Sequence, residues 1–120
     1  MSLSHEELFR KYVYAGAISR DPDAVAELFA ENGVLEAPLV PLRLAGREAI
    51  RRGVVELQRA PAAAVDVERS GYMLHETGDP DVFIAEIDTV FEGGGVFPLV
   101  QIFRVREGLI TVLRDYFRVP

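Results

Sequence analysis

Residues 82–117 carry the reading that decides the fold: Val82-Phe83-Ile84-Ala85-Glu86-Ile87-Asp88-Thr89-Val90-Phe91, a Glu92-Gly93-Gly94-Gly95 turn, a second run from Val96 to Val105, the turn Arg106-Glu107-Gly108, and a third run from Leu109 to Phe117. β-Branched and aromatic residues fill the runs and glycine-bearing turns separate them, the pattern of antiparallel strands joined by tight connections. An earlier strand over about Val67–Glu76 precedes them, set off by Gly78-Asp79-Pro80-Asp81.

Toward the N-terminus the apolar period changes. Ser4 and Glu7 form a capping box, and Leu8, Phe9, Tyr12, Val13 and Ala17 recur at helical spacing, which predicts a helix from about Ser4 to Ser19. Asp21 before Pro22 caps and starts a second, short helix whose stripe is Val25, Leu28 and Phe29 and whose end is the turn dipeptide Asn32-Gly33. Val34–Pro38 is a short extended piece, Pro41 and Gly46 frame a loop, and Gly46–Gln58 forms a third helix through Ala49, Ile50, Val54 and Leu57, ended by Pro61. Helices first and an antiparallel meander afterwards make an α+β plan, with the helices on one face of a curved sheet.

The chain has 120 residues, 49% of them hydrophobic and 27% charged, which predicts one ordered domain over residues 1–120. Thirteen basic against 19 acidic residues give a net charge of −6 with no basic block, so neither a nucleic acid nor an anionic membrane is an expected partner. Without cysteine there is no thiolate ligand, disulfide or cysteine nucleophile, and the two histidines, His5 and His75, are too few for a histidine cage; no metal and no organic cofactor are expected. The N-terminus has no basic and apolar leader pattern and no run approaches a membrane span, so the expected location is cytoplasmic.

The phrases Asp21 to Pro38, Gly46-Arg47-Glu48-Ala49-Ile50 and Phe103 to Phe117 resemble the nuclear-transport-factor-2-like superfamily over almost the full length, and within it are similar to SnoaL-type polyketide cyclases, ketosteroid isomerases and limonene epoxide hydrolases. The resemblance implies a cone-shaped, strongly bent sheet wrapped around the three N-terminal helices, with a deep apolar pocket for a small organic molecule. In the epoxide hydrolases two aspartates bridged by an arginine act as base and acid. Asp88 and Asp115 stand at the aspartate positions, while Glu86 replaces the arginine, and Leu35 and Ala37 replace the water-positioning tyrosine and asparagine. Likeness to the isomerases implies a helix-one tyrosine as oxyanion donor, either Tyr12 or Tyr14, a second donor at Gln101, and a lost base at Ala37.

Strand alternation ties these residues together. If Asp88 faces inward, so do Ile84, Glu86 and Val90; if Asp115 does, so do Thr111, Leu113 and Phe117; Leu99, Gln101, Phe103 and Val105 form the set between them. Taken with what the resemblance implies, the expected catalytic group is Asp88, Asp115, Glu86 and Tyr14, with Tyr12, Gln101, Leu99, Phe103, Leu113 and Leu35 against the substrate. Carboxylates crowded in an apolar pocket cannot all ionise, which leaves an acid beside a base. The expected function is a cofactor-independent cyclase, isomerase or hydrolase acting on an apolar, oxygen-bearing substrate, the alternative being a ligand-binding or dimerisation domain without turnover. The opposite strand sets, Phe83, Ala85, Ile87, Phe91 and Ile110, Val112, Tyr116, are then the outer face, apolar enough to predict a homodimer packed through it.

Overall fold

The computed structural model describes residues 3–59 and 63–118. Helix α1, His5–Val13, continues into a π-helical turn, Tyr14–Ile18, and after a break come α2, Pro22–Glu27, β1, Phe29–Ala37, β2, Leu42–Ala45, α3, Arg47–Arg59, β3, Gly71–Glu76, β4, Val82–Val90, β5, Val96–Arg106, and β6, Leu109–Phe117. The strands form one curved, unclosed sheet in the order β2-β1-β6-β5-β4-β3. The C-terminal meander is antiparallel as expected, and the one parallel pairing is β1 with β6, which the β1–β2 hairpin and α3 make possible by returning the chain to the sheet's other end.

Local chemistry starts α1 and α2. The Ser4 hydroxyl accepts from the Glu7 N–H at 3.1 Å, and Glu7 accepts from the Ser4 N–H at 3.2 Å. Asp21 accepts from the N–H groups of Asp23 and Ala24 at 3.0 and 3.2 Å, and Pro22 occupies the first helical position. Between these helices Asp21 N–H closes onto the Ala15 carbonyl at 2.9 Å, which requires the left-handed backbone seen at Arg20, φ 53°. Glycine is the usual occupant of such a helix-ending position; a side chain there costs about 1 kcal/mol.

Three boundaries differ from the sequence expectation. Phe29 and Asn32-Gly33 lie inside β1 and not at a helix end: pairing with β6 shifts between Phe29 and Val34, so the turn dipeptide becomes an irregularity within a strand. A Cβ on Gly33 would sit 2.9 Å from the Ile110 carbonyl oxygen, which is why glycine stands there. β2 forms where a loop was expected, because pairing with β1 supplies hydrogen bonds that local sequence does not announce, and β3 begins at Gly71 after a turn. Pro61, expected to end α3, lies outside the described residues.

The core decides which face of each strand is inside. Phe83 stacks on Phe103 with centroids 4.6 Å apart, Phe9 of α1 meets Phe103 edge-on at 5.9 Å, and Phe9, Phe29, Phe83, Phe103, Ile110 and Leu113 are completely buried. Removing any of these phenyl groups should cost about 3–5 kcal/mol. Phe83, Ala85 and Ile110 are thus core residues and not part of an outer apolar set, which corrects the expected parity of β4. At β6 the pairing with β5 shifts near Arg104, so Thr111 does not continue the inward alternation of Leu113.

Candidate functional site

Three cross-strand rows cover the concave side of the meander: Phe83–Phe103–Leu113, Ala85–Gln101–Asp115 and Ile87–Leu99–Phe117. The first is closed over by α1 and belongs to the core. Beyond it the second and third rows face a cavity of about 430 Å³, roofed by Tyr12, Val13 and Gly16 from the first helical segment and by Val54, Leu57 and Gln58 from α3. Its walls are mostly apolar, and three of its polar side chains converge at one place, as expected for a small-molecule site.

That place is Asp115, Gln101 and Tyr12. The Gln101 Nε2 donates to Asp115 Oδ2 at 3.2 Å, while Gln101 Oε1 and Asp115 Oδ1 are buried without a hydrogen-bond partner among the described residues. Burial pushes the Asp115 carboxyl up from its ordinary value of 3.8 to about 6, the Gln101 hydrogen bond holding it back. Burial, and then the nearby Asp115 charge, push the Tyr12 phenol up, so it stays a neutral hydroxyl. Its ring is fixed edge-on by Phe103 at 5.6 Å and Phe29 at 6.3 Å. Leaving a buried polar atom unpaired costs about 1–3 kcal/mol, and a ligand that supplies the missing partners recovers it.

Of the residues singled out from sequence, Tyr12, Leu35, Leu99, Gln101 and Asp115 line this cavity. Phe103 and Leu113 lie beside it in the sealed core, where Phe103 buttresses Tyr12 without facing the cavity. Asp88 and Glu86 are not brought to Asp115. Once Phe83 and Ala85 take the inside of β4, alternation turns both acids to the convex face, where they are exposed and Glu86 pairs with His75. There they border a second hollow, of about 590 Å³, with Met73, Val100 and Tyr116. Tyr14 is 59% exposed, since residues two apart on a helix point in nearly opposite directions and Tyr12 takes the inside.

Sequence reasoning missed Ile87, Thr89, Phe97 and Arg20 as lining residues. The first two follow from placing Phe83 inside, and the signal was available: Phe83 and Ala85 make a more apolar set than Glu86 and Asp88. Arg20 carried no such signal, because its placement depends on a backbone conformation that arginine seldom adopts.

A family model described as the SnoaL-like domain matches residues 9–113. Among solved structures, a protein of ketosteroid isomerase-like fold from Catenulispora acidiphila, in complex with trimethylamine, is 20% identical, with a TM-score of 0.76 over 98% of this chain and 88% of that one. A proposed polyketide cyclase from Pseudomonas putida is 18% identical, with a TM-score of 0.76 over 98% and 94%. A proposed isomerase from Bacillus subtilis is 24% identical, with a TM-score of 0.71 over 93% and 84%. At these low identities the superpositions show a shared fold and nothing further. No curated protein matches the sequence.

Proposed function

The chain belongs to the SnoaL-like domain family, and from that premise we propose that it is an enzyme that moves a proton on a small, largely apolar, oxygen-bearing molecule, with Asp115 as the group that takes and returns it. The observation that carries this reading is a carboxyl group with an unpaired oxygen, placed in an apolar cavity beside an amide and a phenol. With its pKa raised to about 6, Asp115 is ionised near neutrality yet a better base than a surface aspartate. Removing a proton from carbon next to a carbonyl leaves negative charge on oxygen, and the Tyr12 hydroxyl is a neutral donor in the same cavity. Where a carbon–carbon double bond beside the acidic carbon extends the enolate into a dienolate, protonated Asp115 can then return the proton to the far carbon, which moves the double bond into conjugation with the carbonyl.

One base acting twice suits isomerisation, and an enolate formed in a confined cavity suits cyclisation. Hydrolysis by two cooperating carboxylates loses support, because Asp88 and Glu86 are on the other face. All groups invoked belong to the chain itself, without metal or cofactor. The chain is further proposed to act in the cytoplasm as a homodimer joined through the convex sheet face, now with Met73, Val100, Ile102 and Tyr116 as the apolar set.

Deuterium incorporation from heavy water into a panel of cyclic and aryl ketones, followed by proton NMR, tests the activity. The expected result is protein-dependent exchange next to the carbonyl, lowered about 100-fold or more by Asp115→Asn, the ordinary scale of a lost general base, and retained by Asp88→Asn. Absence of exchange with every ketone, combined with ligand affinity unaffected by Asp115→Asn, would instead support the binding domain without turnover.

A further inference from the structure

Arg20 is a charged residue of the cavity wall whose presence the proton transfer does not require. Its side chain is half-buried, and Nη2 donates to the Gln58 carbonyl at 2.8 Å, while the Gln58 side chain donates to the Gly16 carbonyl at 3.2 Å. These bonds tie the guanidinium to the gap between the π-helical turn and α3, next to Ala17 and Leu57, which line the cavity and are exposed to solvent on its rim. Among the described residues Arg20 has no carboxylate partner, and it is the one arginine among those that line the cavity; Arg10, Arg43, Arg51, Arg59 and Arg114, outside it, each pair with an acid. A guanidinium has five N–H donors, and the Gln58 carbonyl uses one. The left-handed backbone at Arg20 would suit glycine or asparagine better, yet it aims this long cationic side chain at the cavity opening.

We propose that Arg20 is a specificity-determining residue that receives the carboxylate of an amphipathic ligand, so that the cavity takes a keto or hydroxy acid of small size with its acid group at the mouth and its reacting oxygen toward Asp115, Gln101 and Tyr12. This rests on the reading of the cavity given above and adds the ligand's class and orientation. Chemistry permits only one direction. A carboxylate at the deep end would lie beside the Asp115 carboxylate inside a mostly apolar cavity, where like charges repel strongly. At the mouth it keeps part of its hydration and meets a planar fork of donors suited to two-point binding. The apolar body between the two ends fills the 430 Å³ space.

Titration calorimetry with 3-benzoylpropanoate and its methyl ester, on the full chain, tests the inference. The two probes share a ring and a ketone and differ in charge at the far end. The expected result is that the acid binds about 10-fold or more tightly than the ester, the scale of one charge-assisted contact, and that added salt narrows the difference. Arg20→Gln should bring the acid down to the ester's affinity and leave the ester unchanged, its unchanged binding also reporting an intact cavity; Arg20→Lys should keep part of the preference. Equal affinity of the wild-type protein for acid and ester, or equal weakening of both by Arg20→Gln, overturns the role of Arg20 while the cavity reading stands. Binding of neither probe overturns both.

Discussion

At the scale of the residue, Asp115 is where stability and function oppose each other. Its folded-state pKa of about 6 lies above the ordinary 3.8, so between these values the folded chain holds a proton that the unfolded chain has released. Stability from this group is therefore full below about pH 4 and is lost as pH rises through 6. The loss is at most about 3 kcal/mol, from roughly 1.4 kcal/mol per pKa unit. Asparagine keeps the volume and has no charge to bury. Thermal melts of Asp115→Asn and wild type are expected to converge near pH 4 and to separate above pH 6 with the variant more stable; a separation that does not change with pH would contradict the burial argument. The residue type was legible in the sequence, because an aspartate among Leu113, Phe117 and their apolar neighbours is costly unless it has a use. The raised pKa was not, since it depends on which helices close over the strand.

At the scale of the element, the instructive strand is β4. Its two alternating sets were visible in the sequence, but alternation alone does not say which set is inside. Placing Asp88 inward by likeness to a two-aspartate motif turned Phe83 and Ala85 outward, and the tertiary packing of Phe83 on Phe103 reverses that choice. The corrected parity gives the convex face a mixed surface: Met73 is 62% and Val100 38% exposed, beside Glu86, Arg114 and Tyr116. An exposed apolar strip on a sheet's broad face, rimmed by both signs of charge, suits a two-fold contact in which acids of one copy meet arginines of the other. Sedimentation of the wild-type protein at tens of micromolar should give a dimer, and Val100→Glu, which sets a second acid beside Glu86, should give a folded monomer. A wild-type protein that sediments only as monomer would contradict the proposal.

At the scale of the whole molecule, the order of helices and strands was readable from caps, turns and the change of apolar period. What local sequence did not disclose were the features made by distant pairing: β2, the parallel junction of β1 with β6, and the strand that runs through Asn32-Gly33. Those features bring Leu35 and Ala37 into the wall and bend the sheet toward α3, and the cavity exists because of them. The raised pKa of Asp115 is accordingly a property of the closed molecule, since Tyr12, Leu35 and Leu99 exclude water from it only when helices and sheet are assembled. Carbon-13 NMR titration of the aspartate side-chain carboxyls tests this central claim most directly. One resonance should titrate near pH 6, vanish in Asp115→Asn, persist in Asp88→Asn, and return to the ordinary aspartate range when the chain is unfolded in urea. If every aspartate carboxyl of the folded protein titrates below about pH 5, near the value of an unperturbed side chain, Asp115 is not a buried proton-transfer group.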